Sequence, residues 1–216
     1  MKLLCVREPF PHLIGSLDEE LYQQVCDSWN AISHNNYSEI AGNRSNIQLL
    51  DKEIRSKLMG ILLDANEFFY TTLLDSYPKL IDHEMHLENR ILYSENKATD
   101  YDYKIRGLHL DTGDKILVGL WYFKDENETG ANGGDLVLYN PLTKKTKTVE
   151  YGRNVFVLFP NIPTSWHLVT PRKACQYPRR YVNLLLESKN TRLHNYQRTG
   201  TSVDSEFRGK LVTYYK

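Results

Sequence analysis

From Ser16 onward the chain reads SLDEELYQQVCDSWNAIS, with Leu21, Val25 and Trp29 recurring every fourth residue. That spacing lines one face of a helix. Ser16 with Glu19 three positions later has the pattern of a capping box and predicts the helix start there. A second helix is predicted within LLDKEIRSKLMGILLDANEFFYTTLLDSY, with Ile54, Leu58, Ile61 and Leu62 as its buried stripe and Pro78 as its stop. Near residue 87 the texture changes to short runs rich in β-branched and aromatic residues: LENRILY, LHLDT, KILVGLWYF, GDLVLYN, KTKTVEY, NVFVLF, SWHLVT and RYVNLLLES. Turn-forming stretches such as TGANGGD, NPLTKK, YGRN and PNIPT separate them. Strands in this number, joined by polar turns, predict a barrel or a double-sheet jelly roll. The expected class is α+β, with an N-terminal helical layer packed on the β core. The expected organisation is a single domain over residues 1–216: a mainly helical layer at 1–86, the core at 87–190, and a tail or lid at 191–216.

Composition narrows the function classes without choosing one. The 216 residues carry 27 Lys+Arg and 27 Asp+Glu, a formal net charge of zero, which provides no global field for nucleic acid or an anionic membrane. Cys5, Cys26 and Cys175 are scattered with no CxxC pair, as in reduced thiols of a cytosol-like compartment. The opening MKLLCVREPFPHL has too short an apolar run for a signal peptide, and no run approaches a membrane span, so a cytoplasmic protein is expected.

The chemistry begins at GLHLDTGDK, where His109 and Asp111 sit two apart and so share one strand face. An HxD pair alone is common by chance. His167, opening the run WHLV, supplies a third ligand type on a distant strand that a jelly roll can return to the same cavity. Two histidines and a carboxylate on one face leave open positions on an octahedral ion, an arrangement suited to non-haem Fe(II) and oxygen. Thirteen residues on, Arg180 leads a strand whose alternation groups it with Val182, Leu184 and Leu186, against Tyr181, Asn183 and Leu185. A guanidinium among apolar residues calls for an anion, and its planar fork suits a carboxylate.

These parts together resemble the Fe(II)/2-oxoglutarate-dependent dioxygenases, and within them the prolyl-4-hydroxylase-like branch. The residues carrying the resemblance are LHLDTGDKILVGLWYF, GGDLVLYN, NVFVLFPNIPTSWHLV and EPFPHLIGSLDEELYQQV, together spanning roughly residues 7 to 188. The resemblance implies a double-stranded β-helix. It also implies that Fe(II), 2-oxoglutarate and O2 are used, with ascorbate as an accessory reductant, and that His109, Asp111 and His167 hold the iron. Arg180 is the implied partner of the distal carboxylate of 2-oxoglutarate. Arg179 competes, because the loop TPRKACQYP lengthens the spacing and strand parity leaves the inward face open. Tyr122 is the implied donor to the same carboxylate, and Tyr93 matches a tyrosine near the metal-bound end of the cosubstrate. Retention of Asp111 implies hydroxylation or another oxidation rather than halogenation. Lys115 and Arg106 are candidates for substrate contact, against the favoured plainer reading of both as solvated loop charges. The implied partners are 2-oxoglutarate and a primary substrate that is a prolyl or other protein side chain or a small metabolite; nucleic acid and membrane are not expected. SENKATDYDYKI and the tail after Arg192 are the expected lid elements, and the group Asp82, His83, Glu84 and His86 is expected to be plain surface. The competing expectation is a cupin-like protein that binds metal or a small ligand without turnover.

Overall fold

The computed structural model describes residues 2–30, 38–40, 44–48, 51–74 and 88–187. Helix α1 (Glu19–Asn30) buries Leu21, Val25 and Trp29 as their spacing predicts. Its cap is Asp18 rather than Ser16. The Asp18 carboxylate accepts the N–H groups of Glu20 at 3.1 Å and Leu21 at 3.3 Å, while Ser16 belongs to a preceding strand. Helix α2 (Lys52–Leu74) starts in the same way, with the Asp51 carboxylate accepting the Ile54 N–H at 2.9 Å. Ile54, Leu58 and Leu62 are buried and Ile61 packs beside them. Pro78, the cluster from Asp82 to His86 and the tail from 191 lie outside the described residues.

All eight predicted strands form: β5 (Glu88–Asn96), β6 (Arg106–His109), β7 (Lys115–Phe123), β8 (Leu136–Tyr139), β9 (Thr146–Val149), β10 (Arg153–Pro160), β11 (Trp166–Val169) and β12 (Arg179–Glu187). Four further strands come from the N-terminal portion: β1 (Lys2–Val6), β2 (His12–Ser16), β3 (Ser38–Ile40) and β4 (Arg44–Gln48). They escape prediction because KLLCV, SEI and RSNIQ lack a clean apolar alternation. The strands pair into an eight-stranded sheet, β1-β2-β10-β7-β12-β5-β4-β3, and a four-stranded sheet, β6-β11-β8-β9, every named pair antiparallel. This is the expected jelly roll.

The central strands of the large sheet, β10, β7 and β12, are buried on both faces. The sheet's outer face carries α1: Tyr22 stacks on Phe123 with ring centroids 4.8 Å apart, and Trp29 lies 4.6 Å from Tyr93. The inner face looks at the small sheet. On β7 the alternation puts Val118, Leu120 and Tyr122 inward and Trp121 and Phe123 outward. Val118 pairs with Phe159 on β10, and the Phe159 ring meets the His167 ring of the small sheet at 5.0 Å. The inner face and the histidines therefore bound one interior.

Candidate active site

His109 ends β6, His167 lies on neighbouring β11, and the two are directly paired across the small sheet. Cross-strand partners point to the same face, so their rings meet at 4.3 Å. Asp111 follows β6 at the start of a turn and is 9% exposed. One ligand atom from each of His109, Asp111 and His167 lies within 4.8 Å of the others, the sole grouping of this kind among the described residues. The backbone settles the tautomers. Nδ1 of His109 faces the Gly107 carbonyl at 2.8 Å and Nδ1 of His167 faces the Ser165 carbonyl at 3.1 Å. A carbonyl can only accept, so each Nδ1 carries the proton and each Nε2 keeps a lone pair for a metal. Burial, then the neighbouring His167, pushes His109 down to about 4. Burial likewise holds His167 below its ordinary value. Both rings are neutral near neutral pH, the form that ligates.

Asp111 is held asymmetrically. Oδ1 takes the Lys115 ammonium at 2.5 Å, while Oδ2 lies 3.5 Å from His167 Nε2. Burial raises its pKa, but His167 and Lys115 outweigh that and the carboxyl titrates below its ordinary range. The turn is tied from below by Asn161, which is buried. Its side-chain amide donates to the carbonyls of Thr112 at 2.9 Å and Lys115 at 3.0 Å. An octahedral ion could be held by the three ligand atoms with positions left open, so the donor set fits iron.

The register of β12 sends its two leading arginines to opposite faces. Arg180 pairs opposite Glu95 and forms an ion pair with it at 3.0 Å, with 30% of its side chain exposed. Its guanidinium lies 5.9 Å from the Trp29 ring, on the outer, helix-bearing face. Arg179 is the inward arginine and is 1% exposed. Its Nε donates to the Gly134 carbonyl at 2.7 Å and one terminal nitrogen to Asn96 Oδ1 at 3.2 Å, while Nη2 has no partner. The guanidinium sits against the rings of Tyr181, Tyr122 and Tyr151 at 4.6, 4.9 and 5.5 Å. Among the described residues no carboxylate pairs with it. Tyr93 also faces outward, against Trp29, away from the histidines. Tyr122 points inward from β7 and is fully buried, its hydroxyl without a partner among the described residues. Burial raises that phenol to about 12, with Arg179 opposing the rise.

Three residues that motif reading passed over build this corner. Gly134 has φ +85°, and a Cβ there would lie 2.7 Å from Arg179 Cδ. The glycine gives the arginine its room. Arg172, as buried as Arg179, is neutralised by Glu128 at 2.9 Å and also donates to the Tyr177 carbonyl at 2.9 Å. Through paired backbone hydrogen bonds with Tyr103 it ties the loop after β5 to the loop before β12. The Gly-Gly pair within GGDLVLYN was the visible signal for this corner; nothing in the sequence marked Glu128. Lys115 reaches the triad as described, and Arg106 is exposed on β6. No helix among the described residues is long and apolar enough to cross a membrane.

The family model of the 2OG-Fe(II) oxygenase superfamily matches residues 95–186. No curated protein matches the chain. Among solved structures, a prolyl-4-hydroxylase from Pseudomonas putida aligns at 12% identity and TM-score 0.56, over 83% of this chain and 93% of that one. A prolyl hydroxylase from Trichoplax adhaerens, in complex with a hypoxia inducible factor oxygen degradation domain peptide fragment, aligns at 14% and 0.54 over 86% of both chains. A prolyl 4-hydroxylase structure from Phytophthora capsici aligns at 16% and 0.54, over 82% of this chain and 59% of that one. At these identities the structures show the fold alone. The family match over residues 95–186, the prolyl-4-hydroxylase-like fold and the His109–Asp111–His167 grouping agree with one another, and the matched superfamily is one that uses Fe(II), 2-oxoglutarate and O2.

Proposed function

We propose that the chain is a single-domain hydroxylase that oxidises an unactivated C–H bond, in a prolyl or other side chain or in a small metabolite. The observation carrying this reading is the unpaired Arg179 guanidinium, buried beside the unpartnered Tyr122 hydroxyl on the inner face that the triad also faces. A buried cation without a counter-charge costs several kcal/mol unless an anion completes it. A binding protein using the triad alone would have no use for it.

In this reading His109, Asp111 and His167 hold Fe(II), and Arg179 with Tyr122 receives the far carboxylate of 2-oxoglutarate. When bound, Fe(II) and 2-oxoglutarate would supply oxidative decarboxylation to succinate and CO2, with O2 giving one oxygen atom to succinate and the other to the oxidised carbon of the second substrate. The chain's own task is positional. The Gly107 and Ser165 carbonyls fix the imidazoles, Lys115 occupies Oδ1 so that Oδ2 is left for the metal, and Phe159 walls one side of His167 against water. Asp111 fills the position at which a small residue would admit a halide, which favours hydroxylation. The peptide held by the Trichoplax relative supports a side chain as one substrate form.

The test is anaerobic addition of Fe(II) and 2-oxoglutarate to the metal-free protein, followed by the visible charge-transfer band of the chelate. The band is expected in the wild type and in Arg180→Ala, absent in His109→Ala, and shifted to much higher 2-oxoglutarate concentration in Arg179→Ala. Folded protein that binds metal but shows no band would refute the reading.

A further inference from the structure

Strand β6 contains an irregularity that turns one more cation toward the triad. His167 pairs with His109 and Val169 pairs with Arg106, so two steps on β11 are matched by three on β6. An extra residue in one strand of an antiparallel pair is a β-bulge, which reverses the alternation beyond it. Without the bulge Arg106 would share the face of Leu108, which packs outward with Tyr139 and Trp166. With it, Arg106 lies opposite Val169, whose side chain packs on the central core, and so takes the inner face of His109 and His167.

The charge count at the site leaves this group over. Bound 2-oxoglutarate and Fe(II) cancel as dianion and dication and Asp111 cancels Lys115, so Arg179 on the distal carboxylate already leaves one positive charge in excess and Arg106 adds a second. The Arg106 side chain makes no hydrogen bond or ion pair among the described residues, and it is exposed where β6 leads into the triad. A guanidinium that served only solubility would need no bulge to aim it. We propose that Arg106 anchors an anionic group, a carboxylate or a phosphate, on the primary substrate, and so selects a substrate carrying such a group near the oxidised carbon. This rests on the oxygenase reading above.

The probes are inorganic phosphate and acetate, titrated anaerobically at constant ionic strength into full-length protein loaded with Fe(II) and 2-oxoglutarate, with acetamide as the neutral control. The wild type is expected to show a saturable change in the charge-transfer band with at least one anion and none with acetamide. Phosphate alone would identify a phosphoryl group, acetate alone a carboxylate. In Arg106→Gln the anion affinity is expected to fall about tenfold or more, corresponding to about 1.4 kcal/mol. Arg106→Lys should restore much of it, and 2-oxoglutarate affinity should be the same in all three proteins. A band that forms normally but responds to neither anion, or responds equally in Arg106→Gln, overturns the anchor while leaving the oxygenase reading intact. Failure of the band to form in the wild type overturns both.

Discussion

Arg172 and Arg179 offer a controlled comparison, since both are 1% exposed and neighbour the same glycine loop. Replacing each with Met keeps the side chain long and removes the charge. At Arg172 the change strands the Glu128 carboxylate, itself 1% exposed at the side chain, without its cation. Breaking a buried pair from one side costs about 3–5 kcal/mol. At Arg179 no carboxylate is stranded. The losses are two hydrogen bonds, to Gly134 and Asn96, and ring contacts worth about 1–2 kcal/mol each when desolvated. Relief of an unpaired buried cation offsets them by several kcal/mol, so the net change should stay within about 2 kcal/mol of zero. In a chain of this size 1 kcal/mol moves Tm by about 2–4 °C. Arg172→Met is therefore expected to melt roughly 6–20 °C below the wild type, and Arg179→Met within about 4–8 °C of it on either side. Added 2-oxoglutarate with a redox-inert divalent metal should separate the pair in the opposite sense. At a hundredfold excess over Kd it stabilises the wild type by about 2.7 kcal/mol, and it should do nothing for Arg179→Met. Differential scanning calorimetry with and without cosubstrate reads all of these quantities. If Arg179→Met destabilises the metal-free protein as much as Arg172→Met, Arg179 is a structural cation and the argument for an anion site beside Tyr122 fails.

Gly134→Ala combines a positive φ with a Cβ 2.7 Å from Arg179 Cδ, so it should displace the guanidinium and raise the 2-oxoglutarate requirement about tenfold, with metal affinity unchanged by calorimetric titration. Asn161→Ala releases the turn that presents Asp111, and metal affinity should fall about 10–100-fold, measured with the same titration. The metal-free protein should also lose stability as pH falls below about 6.5. His12 and His167 have depressed pKa values when folded, chiefly through burial, so the unfolded chain takes up protons first and the slope of stability with pH is positive there. A Tm that stays flat from pH 7 to 5 would contradict this.

What could be read from the sequence followed how cleanly each signal was patterned. The triad was legible because HxD and the distal histidine sit on short strands with turn residues on either side, and both ended on one sheet face. Arg179 was only a competitor to Arg180 because β12 is buried on both faces, so apolar alternation does not say which side is inward. Tyr93 could not be assigned a face for the same reason: on β5 both faces of the segment around it are buried, and its partner Trp29 belongs to a helix that sequence could not dock. Ser16 lost the cap to Asp18 because β2 extends through it. The β6 bulge was invisible because register belongs to a pair of strands and not to either one alone.

The two sheets divide the work: the small one carries both histidines, while the large one carries Arg179 and Tyr122. On the proposed reading, a single small diacid tied to both would act as a strut between walls that otherwise meet mainly through apolar packing. Its arrival would damp the breathing of the whole jelly roll. Amide hydrogens in β7, β11 and β12 should then slow their exchange together, although few of them touch the ligand.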